Sequence, residues 1–409
     1  MQQISEEFEQ TPIDRTDIAQ GELDLKNRAR TNPFPWRGQF SPGLVEVLLK
    51  RYAIPGVSVF DPFAGVGTTL FEAARQACSS GGTEINPAAH AMADTVVFLP
   101  LSTDERRIAL ERAATLLTKA MGSAFPLFAY GDTSERPAQE ILVELLSDGS
   151  IPRPERNLLT NTLIRAIEFS VPITFESVFR AFSQHAQIVL SLPISKHEHY
   201  IQNADARKIP LAAEHIDLVI TSPPYINVFN YHQNNRPAME LLGWDLLHVA
   251  KSEFGSNRKH RGNRFLTVIQ YCLDMHSALI ELRRTIKCSG RVIIVVGRES
   301  NVRGVAFQNG SLVSSLAKTA GFKLGMRQER KFRNKFGENI YEDILHLVPT
   351  SSDMTIAPSD IALHHLKRGL AQCQRAEVKS DLYAAMKAVA QVKPSPMYVP
   401  VSTAKLMVA

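Results

Sequence analysis

Cysteine is scarce in this chain and badly placed for structural work. There are 4 cysteines in 409 residues, Cys78, Cys272, Cys288 and Cys373. No two have the close spacing of a zinc site or a disulfide framework, so they read as reduced thiols and no metal site is expected. Long apolar runs are missing too. The first thirty residues are polar, carry both signs of charge and hold no stretch of signal-peptide length, and no later run is long enough to span a bilayer. A cytoplasmic location with no membrane partner is therefore expected. Internal repeats and low-complexity tracts are also absent. The charge excess is small, a formal +5 with a pI near 8.9. That suits a polyanionic partner and equally fits proteins that bind none.

The hydrophobic and charged fractions, 44% and 21%, are those of a soluble globular protein. The length suits one large domain with insertions or two ordinary ones. Residues 1 to 30 read as a loosely ordered arm. Ser41-Pro42 offers a cap and a first-turn proline to an amphipathic helix from Leu44 to Tyr52. Pro55-Gly56 turns the chain into a strand, Ser58 to Asp61, followed by a helix through Leu70 to Ala77 and a short strand, Gly81 to Ile85, containing Glu84. This is a strand, helix, strand unit.

From about 91 to 199 the pattern is one of amphipathic helices, and this stretch reads as a helical insertion. Ser102 and Glu105 have capping-box spacing, Ser134 and Thr174 can cap two more helices, and Arg156 to Phe169 is helical in period. The α/β alternation then resumes. It gives a strand at Asp217 to Ile220, a helix around Val268 to Lys287, a strand at Arg291 to Val296 and a helix from Ser311 to Ala320. A hairpin through Lys331 to Glu338 ends in Ile340 to Val348. Beyond Pro349 one helix over 358 to 390 and a proline-containing tail form a C-terminal extension, 350 to 409.

Two turns carry the chemistry. Asp61-Pro62-Phe63-Ala64-Gly65-Val66-Gly67-Thr68-Thr69 follows the apolar Val57 to Phe60, and Ser222-Pro223-Pro224-Tyr225 follows Ile216 to Thr221. Each sits where a buried strand ends, which is where open α/β sheets bind ligands. The glycine pair alone is equally explained by a tight bend. Asp61, the small neighbours Ala64 and Thr68, and Glu84 at the next strand end favour a nucleotide-like ligand, with Glu84 placed to accept ribose hydroxyls. Leu70 stands where a dinucleotide loop would want its third glycine, so a dinucleotide fits poorly. In the second turn two prolines fix two φ angles and leave the carbonyls of Ser222 and Pro223 free to accept from an amino group, while Tyr225 offers a ring for a planar base. A plain proline turn is the bland alternative.

Taken together these segments resemble the S-adenosylmethionine-dependent DNA methyltransferases that act on exocyclic amines. Their cofactor turn is similar to Asp61 to Thr69, and their catalytic turn has the form Asp/Asn/Ser-Pro-Pro-Tyr. The serine version is typical of N4-cytosine enzymes and aspartate of most N6-adenine enzymes. Asn32 to Pro42 looks like the family's upstream cofactor-side segment, and Asn203-Ala204-Asp205-Ala206 like the motif before its catalytic strand.

The resemblance covers about 32 to 90 and 200 to 348. It implies an α/β fold with a Rossmann-like seven-stranded methyltransferase sheet, made of 31 to 90 and 200 to 349; it does not account for the helical insertion, a candidate target-recognition region. It also implies that Phe34, Asp61, Pro62, Phe63, Gly65, Gly67, Thr68 and Thr69 shape the cofactor pocket, that Glu84 holds the ribose and that Asp205 lies beside the adenine. Ser222, Pro223, Pro224 and Tyr225 would hold the target amine. The insertion does not lie where the family's simplest members keep their recognition region.

An aromatic exocyclic amine is a poor nucleophile, since its lone pair is delocalised into the ring. Accepting its N–H groups at the Ser222 hydroxyl and the Pro223 carbonyl favours a pyramidal nitrogen. Carbon-5 methylation is disfavoured, because it needs a thiolate and no cysteine sits in a Pro-Cys turn near the catalytic strand. A base buried in such a site must leave the duplex.

Arg258, Lys259, His260, Arg261 and Arg264, and Arg327, Arg330, Lys331, Arg333 and Lys335, flank the site in sequence as phosphate-binding candidates or as ordinary solvated loops. Asn230 and Arg236 follow the catalytic turn, where they either read base edges or belong to an ordered active-site loop. The expected partners are double-stranded DNA and a cognate restriction endonuclease. Three rivals stay open: an N6-adenine enzyme, an RNA enzyme, for which no appended RNA-binding module is seen, and a catalytically silent nucleic-acid-binding protein.

Overall fold

Val59, Phe60 and Asp61 are all buried in a four-residue strand, as required of a strand covered on both faces. This computed structural model describes residues 7–26, 31–122, 137–169, 173–226, 231–255, 260–333, 336–351 and 356–400. The strands are β1 (Ser58–Asp61), β2 (Ser79–Thr83), β3 (His199–Gln202), β4 (Ile216–Thr221), β5 (Ile286–Gly297), β6 (Glu299–Val302), β7 (Val305–Gln308), β8 (Phe322–Arg333) and β9 (Asn339–Pro349). Seven of them form one sheet in the order β3-β2-β1-β4-β5-β9-β8, while β6 and β7 make a separate ribbon. The run from β3 to β5 is parallel; β9 is antiparallel to β5 and to β8. The fold is thus α/β with a Rossmann-like seven-stranded sheet.

The order explains the site. From β1 the chain passes through the helix Thr68–Arg75 outward to β2, whereas β4, on the other side of β1, leads through the helix Phe265–Thr285 to β5. Connections depart in opposite directions at the β1/β4 boundary, and the crevice at their carboxyl ends is the switch point where such sheets bind ligands. Alternation along β1 sends Val59 to one face, beside Leu44 and Leu48 of the helix Pro42–Tyr52, and Phe60 to the other, beside Val268 and Met275.

Helices Thr103–Met121, Ala138–Ser147, Arg153–Phe169 and Phe175–Ser191 make up the insertion. Ser102 and Glu105 form the expected capping box, and Thr174 forms one with Ser177; Ser134 lies outside the described residues. The insertion shares one apolar cluster with Leu70 and Phe71 of the helix that follows the glycine turn. Buried Arg106 ties its ends together, donating to the carbonyls of Phe98, Val189, Leu192 and Pro193 at 2.7 to 3.1 Å.

Three expectations need correction. Residues 7–26 are anchored rather than loose: Phe8, Ile18 and Leu23 are buried, Ile13 bridges Arg327 on β8, and Asp17 accepts from Arg51 and Tyr52. Single apolar anchors spaced among charges leave no periodic signal. The helix read over 358 to 390 is two, Pro358–Gln372 and Ala376–Lys387, broken around Cys373. Strand β3 and the β6/β7 ribbon went unread, because His199 and Gln202, like Glu299 and Gln308, dilute their apolar content. Among the described residues no helix is long and apolar enough to cross a membrane.

Candidate active site

Asp61 ends β1 with its side chain buried. Its carboxylate accepts from the Phe63 amide at 3.0 Å, from Thr69 Oγ1 at 2.7 Å and from Thr221 Oγ1 at 2.5 Å. Burial pushes Asp61 up to about 6, against the pull of these three bonds. Thr221 is the last residue of β4, so one carboxylate joins the two chemistry-bearing turns. Within the first turn the backbone takes left-handed values at Gly65 (φ 53°) and Gly67 (φ 88°). A Cβ on Gly67 would lie 3.1 Å from the backbone of Ala93, whereas one on Gly65 would meet nothing within 4 Å. Gly65 therefore turns its bare face to open space, a cradle that a side chain would fill.

Glu84, just past β2, closes the floor. It accepts from the Gly65 amide at 2.9 Å and the Asn86 amide at 2.7 Å, and burial pushes it up to about 7. A carboxylate has about four acceptor positions, so roughly two remain for a ligand. Asn86 also caps the helix Pro87–Ala93. Asn203, just past β3, clamps the same region by donating to the carbonyls of Glu84 at 2.7 Å and Ile85 at 3.3 Å.

One cavity opens on both turns. Pro62, Phe63, Gly65 and Thr68 line it from the first, Ser222 and Pro224 from the second, and Glu84 and Asp205 from between. Trp36, Gln39 and Phe40 form a further wall, held by Asn32, which accepts from Thr68 Oγ1 at 2.8 Å and donates to the Phe40 carbonyl at 2.9 Å. Tyr231, Glu253 and Phe254 complete the lining, and the Phe254 ring meets Phe63 edge-on at 5.2 Å.

Some named residues stand elsewhere. Phe34 is fully buried against Phe71 and His185 and does not line the cavity; the neighbouring aromatics Trp36 and Phe40 do. Asp61, Gly67 and Thr69 sit behind the lining as braces. Asp205 lines the cavity, but its two oxygens already accept from the Arg207 amide, Arg207 Nε, Arg207 Nη2 and the Tyr398 amide, so its acceptor capacity is filled. In the second turn Pro223 is buried behind Pro224. Tyr225 packs over Gly297 with Oη 3.4 Å from Ser222 Oγ, and burial pushes its phenol well up, so it stays protonated.

The basic candidates divide. Arg330 is 8% exposed, paired with Glu342 at 3.0 Å and stacked on Phe332, so it is part of the β8/β9 packing rather than a free cation. Strand alternation turned it inward, which a charge run alone does not reveal. Lys331 and Arg261 are exposed; Arg236 is exposed and paired with Glu240 four residues on. Asn230, Arg258 and Lys259 lie outside the described residues. Glu253 and Phe254 had no sequence signal, being brought in by the helix Leu246–Ser252.

Residues 16–95 match a family model of the N6/N4 type described as DNA methylase. The Type II methyltransferase M.MjaII of Methanocaldococcus jannaschii is 25% identical over 199 residues, which cover 47% of this chain and 35% of that protein. The match thus spans about a third of that relative's length. Solved structures it matches include a TehB-like methyltransferase from Corynebacterium glutamicum, 10% identical over 75% of this chain and 87% of that one, at a TM-score of 0.29. An S-adenosylmethionine-dependent methyltransferase from Methanosarcina mazei is 10% identical over 75% and 98%, at 0.33. The fold assignment rests on the strand order given above.

Proposed function

We propose that this chain, whose residues 16–95 match a model of the N6/N4 DNA methylase family, transfers a methyl group from S-adenosylmethionine to the exocyclic N4 amine of cytosine in duplex DNA. It does so at a defined sequence, as the modification partner of a restriction endonuclease. The observation that carries the reading is one cavity lined by both Gly65 and Ser222, with Thr221 bonded to Asp61 behind it. The cofactor's chemistry fits the residues present: Glu84 keeps acceptor positions for vicinal hydroxyls, Gly65 leaves room for close approach, and aromatic walls suit both a purine and a sulfonium.

When bound, S-adenosylmethionine supplies an activated methyl group, so the chain's task is positioning and electrostatics. Ser222 Oγ and the Pro223 carbonyl accept the two N–H groups of the amine and hold its lone pair out of conjugation. A Ser222 hydroxyl that donates to Tyr225 Oη, 3.4 Å away, keeps its lone pairs to accept from the amine. Pro224 fixes the turn, since a second proline has neither backbone freedom nor a competing donor. Phe63 and Phe254 keep water from the transfer line. Serine rather than aspartate at position 222 favours cytosine, through its similarity to the catalytic turn of N4-cytosine enzymes.

The reading is tested by incubating the full chain with duplex DNA and labelled S-adenosylmethionine and digesting to nucleosides for mass spectrometry. N4-methylcytosine is expected. N6-methyladenine would replace the base assignment while keeping the site, and label in RNA alone would replace the substrate.

A further inference from the structure

The C-terminal tail runs past the back wall of the donor cavity as a strap. Pro394, Pro396 and Pro400 restrict its backbone, so it holds an extended shape at low entropic cost. The Ser395 amide donates to Asp274 Oδ1 at 2.8 Å, and the carbonyls of Ser395 and Pro396 accept from Arg207 Nη1 and Nη2, both at 2.8 Å. Arg207 Nη1 also reaches Asp274, so a buried Asp205–Arg207–Asp274 group joins the tail to the cavity wall. Tyr398 then makes two bonds to residues at the site. Its amide donates to Asp205 Oδ2 at 2.9 Å, and its Oη donates to Asn203 Oδ1 at 2.7 Å. Asn203 in turn holds the carbonyls of Glu84 and Ile85. The Tyr398 ring lies 5.2 Å from His248, whose Nε2 accepts from the Val399 amide at 3.1 Å.

We propose that Tyr398 is a positioning residue of the donor site: through Asn203 and Asp205 it sets the two wall segments that carry Glu84 and Asp205. Asp205 cannot take a further donor with four already accepted, so its side chain serves as the strap's anchor rather than as an acceptor for the ligand. The Tyr398 hydroxyl fixes the Asn203 amide, which is what turns its Nδ2 toward the Glu84 carbonyl. Loosening the strap therefore weakens methyl-donor binding without touching the acceptor turn at Ser222. The proposal rests on the donor-site reading above.

The test is calorimetric binding of S-adenosylmethionine and S-adenosylhomocysteine to the full chain, as wild type, Tyr398→Phe, Tyr398→Ala and Met397→Ala. Loss of one neutral hydrogen bond predicts a Kd raised about fivefold to tenfold for both ligands in Tyr398→Phe. A larger rise is expected in Tyr398→Ala. Met397, 42% exposed on the same strap, serves as the control and its variant keeps the wild-type Kd. In steady state the KM for the methyl donor rises in Tyr398→Phe, while kcat at saturating donor and the KM for DNA stay within about twofold, a split that general loosening of the fold would not give. Wild-type affinity in both Tyr398 variants would overturn the strap's role and leave the donor-site reading standing. A wild-type chain that binds neither ligand would overturn both.

Discussion

Thr221 Oγ1 donates to Asp61 Oδ1 across 2.5 Å, and this bond ties the strand end that carries the glycine turn to the strand end that carries Ser222. Thr221→Val keeps the shape and removes the bond. The buried carboxylate then loses a donor, at an expected cost of about 1–3 kcal/mol in unfolding free energy. Urea titration measures it, and Thr221→Ser restores most of the loss. The same variant lowers kcat more than it raises the donor KM, because it shifts the two turns relative to each other.

The two glycines separate stability from binding. Gly67→Ala puts a Cβ 3.1 Å from Ala93 at φ 88°, so the chief effect is a lowered Tm. Gly65→Ala is strained by φ 53° but meets no atom within 4 Å, and left-handed backbone costs only about 1–2 kcal/mol. Its methyl group enters the donor cavity, so the main loss is affinity for S-adenosylmethionine, read by calorimetry beside the Tm.

Glu84 gives a pH signature. Burial raises it from 4.5 to about 7 in the folded chain, so its contribution to stability is full below pH 4.5 and is lost as the pH rises through 7. Glutamine at 84 cannot ionise but sets one amide donor against a donor from Gly65 or Asn86. Without ligand, Glu84→Gln is therefore less stable than wild type at pH 4.5, and the gap narrows as the pH rises to 7.5. Denaturant unfolding at both pH values checks this; a gap that widens contradicts the buried, pH-raised carboxylate.

Exposed and buried cations should differ on DNA. Lys331→Ala and Arg261→Ala are each expected to reduce the slope of log affinity against log salt by about one where the residue meets a phosphate. Arg330→Ala leaves the half-buried Glu342 without its partner, so it lowers Tm instead and leaves the salt slope unchanged. Fluorescence anisotropy of labelled duplex DNA between low and moderate salt gives the slopes.

Local chemistry was readable in the chain, and long-range packing was not. The β1 and β4 ends, the Ser102 capping box and the positions of Gly65, Glu84 and Ser222 follow from apolar runs, cap spacing and turn residues within a few positions of one another. Phe34 and Trp36 sit two residues apart in a proline-rich segment, and only tertiary packing decides that the first enters the core and the second faces the cavity. Arg330 looks like Lys331 until strand alternation and Glu342, twelve residues on, are known. Tyr398 is 193 residues from Asp205, and no local pattern announces their contact.

Nucleoside mass spectrometry of duplex DNA treated with the full chain, beside Ser222→Ala and with isotope-labelled S-adenosylmethionine, tests the central claim most directly. The predicted result is labelled N4-methylcytosine from the wild type, with transfer greatly slowed in Ser222→Ala while the Kd for the methyl donor is unchanged. No labelled base in any nucleic acid, or a Ser222→Ala variant that turns over like the wild type at saturating donor, would contradict it.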